Sequence, residues 1–123
     1  MDFENISNRC PQQIALCSTA DGCSYVVFVK NIIYIEREKD THNVYVHYQG
    51  TFDGRFMCVC VRGTLKDFNE ILPNQFKMVN RSVIVNLRYV CKYNVDELWV
   101  WTPENRCAKF AHKYNISQHI VEF

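Results

Sequence analysis

The sequence predicts a mainly β domain made of many short strands, and three observations carry that expectation. Runs of four to seven residues rich in β-branched and aromatic side chains follow one another along the chain. Turn-forming clusters such as Asp21-Gly22, Lys39–His42, Gly50–Gly54, Asn94–Asp96 and Pro103–Asn105 separate them. Helical spacing of apolar residues is confined to two short stretches. At 123 residues there is material for one modest core and too little for two.

Taken in order, residues 1–13 are polar, include Pro11 and read as a flexible lead-in to a single domain over 14–123. Strands are expected at Ile14–Cys17, Tyr25–Val29, Ile32–Glu36, Asn43–Tyr48 and Arg55–Val61. A helix near 64–72 follows: Thr64 can cap it, Asp67 is placed to complete a capping box, and Leu65, Phe68 and Leu72 share one face. Pro73 ends it. Further strands are expected at Val83–Asn86, Tyr89–Tyr93, Leu98–Thr102 and Arg106–Ala111. Ile116, Ile120 and Phe123 then suggest a short C-terminal helix. Strands this short and this closely spaced suit an all-β sandwich or barrel-like body.

Composition narrows the class. The formal net charge is +1, yet Ile71–Val95 contains no acid while carrying Lys77, Arg81, Arg88 and Lys92. That local positive face permits phosphate contact, although charge alone favours a solvated surface balanced by acids elsewhere. No secretory leader and no membrane-length apolar run is visible, so a cytoplasmic protein with reduced thiols is expected. Sequons at Asn5, Asn80 and Asn115 would suit a secreted glycoprotein, but such triplets also arise by chance. The seven cysteines include no C-x-x-C pair, and core packing is the expectation for Cys17, Cys58, Cys60, Cys91 and Cys107. No metal site, cofactor motif or catalytic constellation emerges. The acids Glu36, Glu38 and Asp40 read as a solvated face, and four glycines leave little room for a phosphate-cradling loop.

The most informative stretch is Phe76–Asn86, whose apolar run is broken by Asn80, Arg81 and Ser82. Burying three polar side chains without partners would cost about 1–3 kcal/mol for each unpaired group. The insert must therefore be a turn that projects a guanidinium, or a locally satisfied hydrogen-bond knot. Two further loops carry base-reading chemistry: Lys39–Asn43, with His42, and Ala111-His112-Lys113. Arg and Lys can donate to guanine edges, and turns on a β scaffold hold such donors with little slack. Competing readings stand beside these. His42 can cap its own turn, Arg81 can pair with Glu36, and Lys113 can serve a solvated terminal segment. Ser82 and Asn86 read as hydrogen-bonding backbone at strand ends. Trp99 and Trp101 share a strand face, expected to point into the core.

Ile32-Ile33-Tyr34-Ile35-Glu36, Arg62-Gly63-Thr64-Leu65 opening the helix, and Phe76 through Ser82-Val83-Ile84-Val85-Asn86 together resemble the LytTR domain. This is the non-helical DNA-binding domain of bacterial LytR/AlgR-type transcription regulators, and the resemblance runs from about Ile14 to the C-terminus. It implies an elongated stack of antiparallel sheets, about ten short strands, with one small helix between them. It also implies sequence-specific binding of double-stranded DNA by loops inserted into successive grooves, bending the duplex. His42, Arg81 and Lys113 fall on the family's base-contacting positions. Phosphate contacts would come from Lys77, Arg88, Lys92 and Lys109, with Lys39, Asn80, Ser82 and His112 supporting the loops. Asn80 stands where the family usually has His, Ala111 where it prefers Ser, and Lys113 where relatives often carry Arg. Lys lacks the planar fork of Arg, which softens sequence preference. The family commonly occupies paired direct repeats, so a second copy on DNA is expected, and most relatives follow a receiver domain that this chain does not contain. The chain then reads as a free-standing regulator or as a fragment. The alternative function is a non-catalytic protein-interaction β module of a signalling assembly.

Overall fold

A computed structural model of the chain describes residues 12–104 and 106–120, and its ten strands are all antiparallel. They are β1 (Gln13–Cys17), β2 (Ser24–Phe28), β3 (Ile32–Arg37), β4 (Asn43–Gln49), β5 (Phe56–Arg62), β6 (Phe76–Asn80), β7 (Val83–Asn86), β8 (Val90–Tyr93), β9 (Glu97–Thr102) and β10 (Arg106–Ala111). A single α-helix, α1 (Leu65–Ile71), lies between β5 and β6. Most of the expected lead-in falls outside the described residues. Its end does not: Gln12 accepts a hydrogen bond from the Val29 amide and Gln13 already belongs to β1.

The central layer is a five-stranded sheet in the order β5-β4-β3-β7-β6. Both of its faces are covered, which explains why Ile32–Ile35 and Val83–Val85 are apolar without alternation. One face packs against the β1–β2 hairpin and α1, in a core that includes Leu16, Val27, Ile35, Val46, Leu65, Phe68, Phe76 and Ile84. The other packs against the three-stranded sheet β10-β9-β8, through Ile33, Tyr34, Val79, Val83, Val85, Leu98 and Val100. A bulge between Ile32 and Tyr34 lets the sequence neighbours Ile33 and Tyr34 face the same core.

Helix α1 begins as its sequence dictates. The Thr64 side chain accepts from the Asp67 amide at 3.2 Å and the Asp67 carboxylate accepts from the Thr64 amide at 3.1 Å, a reciprocal capping box. Asn86, completely buried, donates to the Ile32 carbonyl at 2.9 Å and accepts from the Arg88 amide at 3.0 Å. It therefore locks β7 to the start of β3.

Two expectations need correction, and the short closing helix takes a particular form. Trp99 and Trp101 do not point into the core: Leu98, Val100 and Thr102 take the inward positions of β9. Trp101 instead stacks outside on Tyr89, and Trp99 carries the Lys92 ammonium 4.1 Å over its ring. The cysteines are not core residues either, since Cys17, Cys58, Cys91 and Cys107 are exposed and Cys60 is half-buried. The closing helix is a single 3-10 turn, Ile116–Gln118, whose Ile116 is buried in the second core, with Ile120 packed against it. Phe123 lies outside the described residues. Among the described residues no helix is long and apolar enough to cross a membrane.

Candidate nucleic-acid interface

Three connections converge on one rim of the molecule, and each is held by hydrogen bonds its own sequence supplies. The β3–β4 loop is organised by Glu38. Its carboxylate accepts from the Thr41 hydroxyl at 2.9 Å, from the Asn43 side-chain Nδ2 at 3.2 Å, and from the Tyr45 hydroxyl. These donors, Tyr45 foremost, hold the Glu38 carboxyl below its ordinary value, while Glu38 pushes the Tyr45 phenol up to about 12. Asp40 takes the left-handed conformation, φ 64°, that short polar residues tolerate best. The turn is thus closed by Glu38 and Thr41, not by the imidazole of His42, whose side chain stays exposed. The His42 carbonyl accepts from the Gly63 amide at 2.7 Å, tying this loop to the start of α1.

The β6–β7 turn, at Arg81-Ser82, satisfies both alternatives read from its polarity. Asn80 accepts from the Ser82 amide at 2.7 Å, closing the turn, and donates to the Ala111 carbonyl at 2.7 Å, reaching the end of β10. A bulge between Met78 and Asn80 shifts the strand register just before the turn. The Arg37 amide donates to the Ser82 carbonyl at 2.8 Å, binding the turn to β3 as well. Arg81 is exposed and makes no salt bridge among the described residues, because Glu36 is taken by His47 at 2.8 Å.

The third connection follows β10. His112 is buried at 6% exposure, with Nε2 donating to the Asn94 carbonyl at 2.8 Å and Nδ1 accepting from the Tyr114 amide at 3.2 Å. An imidazole so enclosed cannot touch a phosphate; it braces the segment that presents exposed Lys113.

Two clefts join these connections. One of 370 Å³ is lined by Arg37, His42, Lys66 and Arg81, and one of 460 Å³ by Asn80, Arg81, Asp96 and Lys113. Arg81 borders both, so His42, Arg81 and Lys113 follow one another along the rim with the guanidinium in the middle. Arg37 and Lys66 add two cations that the sequence reading missed. No local pattern marks Lys66, which reaches the rim because α1 packs its apolar face on the central sheet and the Gly63–His42 hydrogen bond fixes its start beside the first loop.

The remaining cations are distributed unevenly. Lys39 is exposed on the first loop and Ser82 on the second. Lys109 pairs with Glu97 at 3.4 Å, close to the rim, and Lys92 is engaged by Trp99. Lys77 pairs with Val85, toward the opposite end of β6 and β7 from the turn, and Arg88 follows β7 at that same far end. Neither lines the clefts. Among the described residues no three His, Cys, Asp or Glu side chains gather as a metal site.

Comparisons with known proteins bear on the fold and the family. No curated protein sequence matches the chain. Among solved structures, the LytTr DNA-binding domain of a methyl-accepting/DNA response regulator from Bacillus cereus superposes with a TM-score of 0.62 at 18% identity. The match covers 82% of this chain and 87% of that one. At that identity the likeness speaks for the fold, a stacked antiparallel body with one helix. The family model for the LytTr DNA-binding domain matches residues 22–114, three quarters of the sequence and all three connections of the rim. The chain belongs to the LytTR family of DNA-binding domains.

Proposed function

We propose that this domain reads double-stranded DNA by placing the His42 and Lys113 loops in successive major grooves and the Arg81 turn in the minor groove between them. Family membership already makes the chain a DNA-binding domain in the service of transcription regulation, from a family that is not catalytic. The observation that carries the finer reading is the position of Arg81. It makes no salt bridge among the described residues, is exposed, borders both clefts and is mounted on a turn closed by Asn80 and anchored to β3 through the Ser82 carbonyl. Such mounting removes conformational freedom before binding, so little ordering entropy remains to oppose the contact.

Arg37 and Lys66, between the first two loops, are suited to the phosphates that flank the central groove. Lys39, Lys92 and Lys109 extend the positive rim, whereas Lys77 and Arg88 would contribute only to long-range steering. Bending the duplex around the rim would add specificity at base pairs never touched. Tandem sites would seat two copies without a permanent dimer, and such a regulator works in the cytoplasm, where its DNA is.

The test is Arg81→Ala measured on a selected duplex and on a scrambled one. A minor-groove contact reads A·T against G·C, so the variant loses more affinity on the selected site than on a scrambled one whose central groove has the other composition. Equal loss on both would reduce Arg81 to a phosphate contact and refute the reading. A second reading, a protein-interaction module, draws on exposed Trp101 and fully exposed Phe52. It prevails if the domain binds no duplex at low salt, where phosphate attraction is strongest.

A further inference from the structure

We propose that the β8–β9 turn is a fourth reading element, in which Val95 packs against the C5 methyl of a thymine beside the base pair contacted by Lys113. This rests on the DNA-reading mode above. A lone exposed valine is ordinary on a protein surface. Val95 is distinguished by where it stands and by what surrounds it.

The turn borders the rim: Asp96 lines the cleft shared by Arg81 and Lys113, and Val95 lines an adjoining cleft that also contains Lys113. The backbone on either side of Val95 is engaged in hydrogen bonds. Asn94 Oδ1 accepts from the Asp96 amide at 2.9 Å and the Glu97 amide at 2.8 Å, and the Asn94 amide donates to the Glu97 carbonyl at 2.9 Å. The Asn94 and Asp96 carbonyls accept from His112 Nε2 and the His112 amide at 2.8 and 2.9 Å. What this rigid turn presents outward is therefore the isopropyl group of Val95, 87% exposed, beside the Asp96 carboxylate. A carboxylate repels phosphate and an apolar tip gains nothing from it. Facing base edges in a major groove, the same pair meets groups that suit it, since a thymine methyl is the apolar feature there and cytosine N4 the donor for an acid. Burial of His112 then has a purpose beyond packing, because one side chain fixes both the Lys113 segment and the Val95 turn.

The experiment uses the whole chain. A preferred duplex is selected from a random pool, and each thymine is replaced in turn by deoxyuridine, which removes only the methyl. At a thymine adjoining the Lys113-dependent base pair, wild type should lose about fourfold in affinity, the equivalent of one methyl returned to water. Val95→Ala should lose a similar factor on the parent duplex and become indifferent to deoxyuridine at that position alone. With so exposed a side chain, folding of the variant is not at issue, and an unchanged Arg81→Ala penalty in its background verifies the rest of the interface. Retained deoxyuridine sensitivity in Val95→Ala, or a wild type indifferent at every thymine, overturns the proposal. So does a preferred duplex lacking thymine beside the Lys113-dependent pair. Failure to select any preferred duplex overturns the underlying reading mode as well, which separates the two failures.

Discussion

Asn80 joins two of the loops, and its removal should uncouple them. Asn80→Ala deletes the hydrogen bonds to the Ser82 amide and the Ala111 carbonyl, both 2.7 Å long. Each such bond contributes a net of about 0.5–1.5 kcal/mol. Ser82 and Ala111 are exposed, so water re-partners the released groups and the cost belongs at the lower end, about 1–2 kcal/mol for the pair. If that freedom must be frozen again on DNA, affinity for the selected duplex falls by about 5–30-fold. The diagnostic measurement is a double-mutant cycle between Arg81→Ala and Lys113→Ala. With Asn80 present the two losses should couple by about 0.5 kcal/mol or more, as expected for groups held on one connected frame. In the Asn80→Ala background they should become additive. Coupling that survives the substitution, or that is absent from the parent domain, refutes the argument that this amide sets the spacing between the two loops.

Two further outcomes follow from the frame. Thr64→Ala removes one half of the capping box and should cost about 1 kcal/mol of stability, seen as a lower urea midpoint with an unchanged slope. His47 stacks on Tyr34 with ring centroids 4.2 Å apart, and burial lowers its imidazole from 6.5 against the opposing pull of Glu36. Below pH 6.5 the unfolded chain therefore binds the proton first, so stability contributed by neutral His47 is present above that value and lost as the pH falls toward the lowered one. His47→Gln should flatten this part of the stability–pH curve; an unchanged slope would mean that the imidazole binds its proton equally well folded and unfolded, and a steeper one that it is charged inside the fold.

Local chemistry made much of this protein legible in its sequence. The capping box of α1 depends on residues three apart, and the strands on runs of β-branched side chains. The polarity of Asn80-Arg81-Ser82 called for a projecting turn or a locally satisfied hydrogen-bond knot. Those signals act over a few residues and survive whatever surrounds them. Tertiary structure decided what local pattern leaves degenerate. In β9 both faces are apolar, Leu98 and Val100 on one and Trp99 and Trp101 on the other, so alternation names two faces without saying which is covered. Docking of the three-stranded sheet on the central layer buried the smaller pair and left the tryptophans outside. The same holds for the rim. Arg37, Lys66 and Arg81 are far apart in sequence and line one cleft because the core packing of α1 and the pairing of β3 with β7 bring them there, where the His42 and Ser82 carbonyls accept from the Gly63 and Arg37 amides. His112 reads as a polar loop residue until the β8–β9 turn folds over it and supplies both of the carbonyls that its ring and backbone amide require.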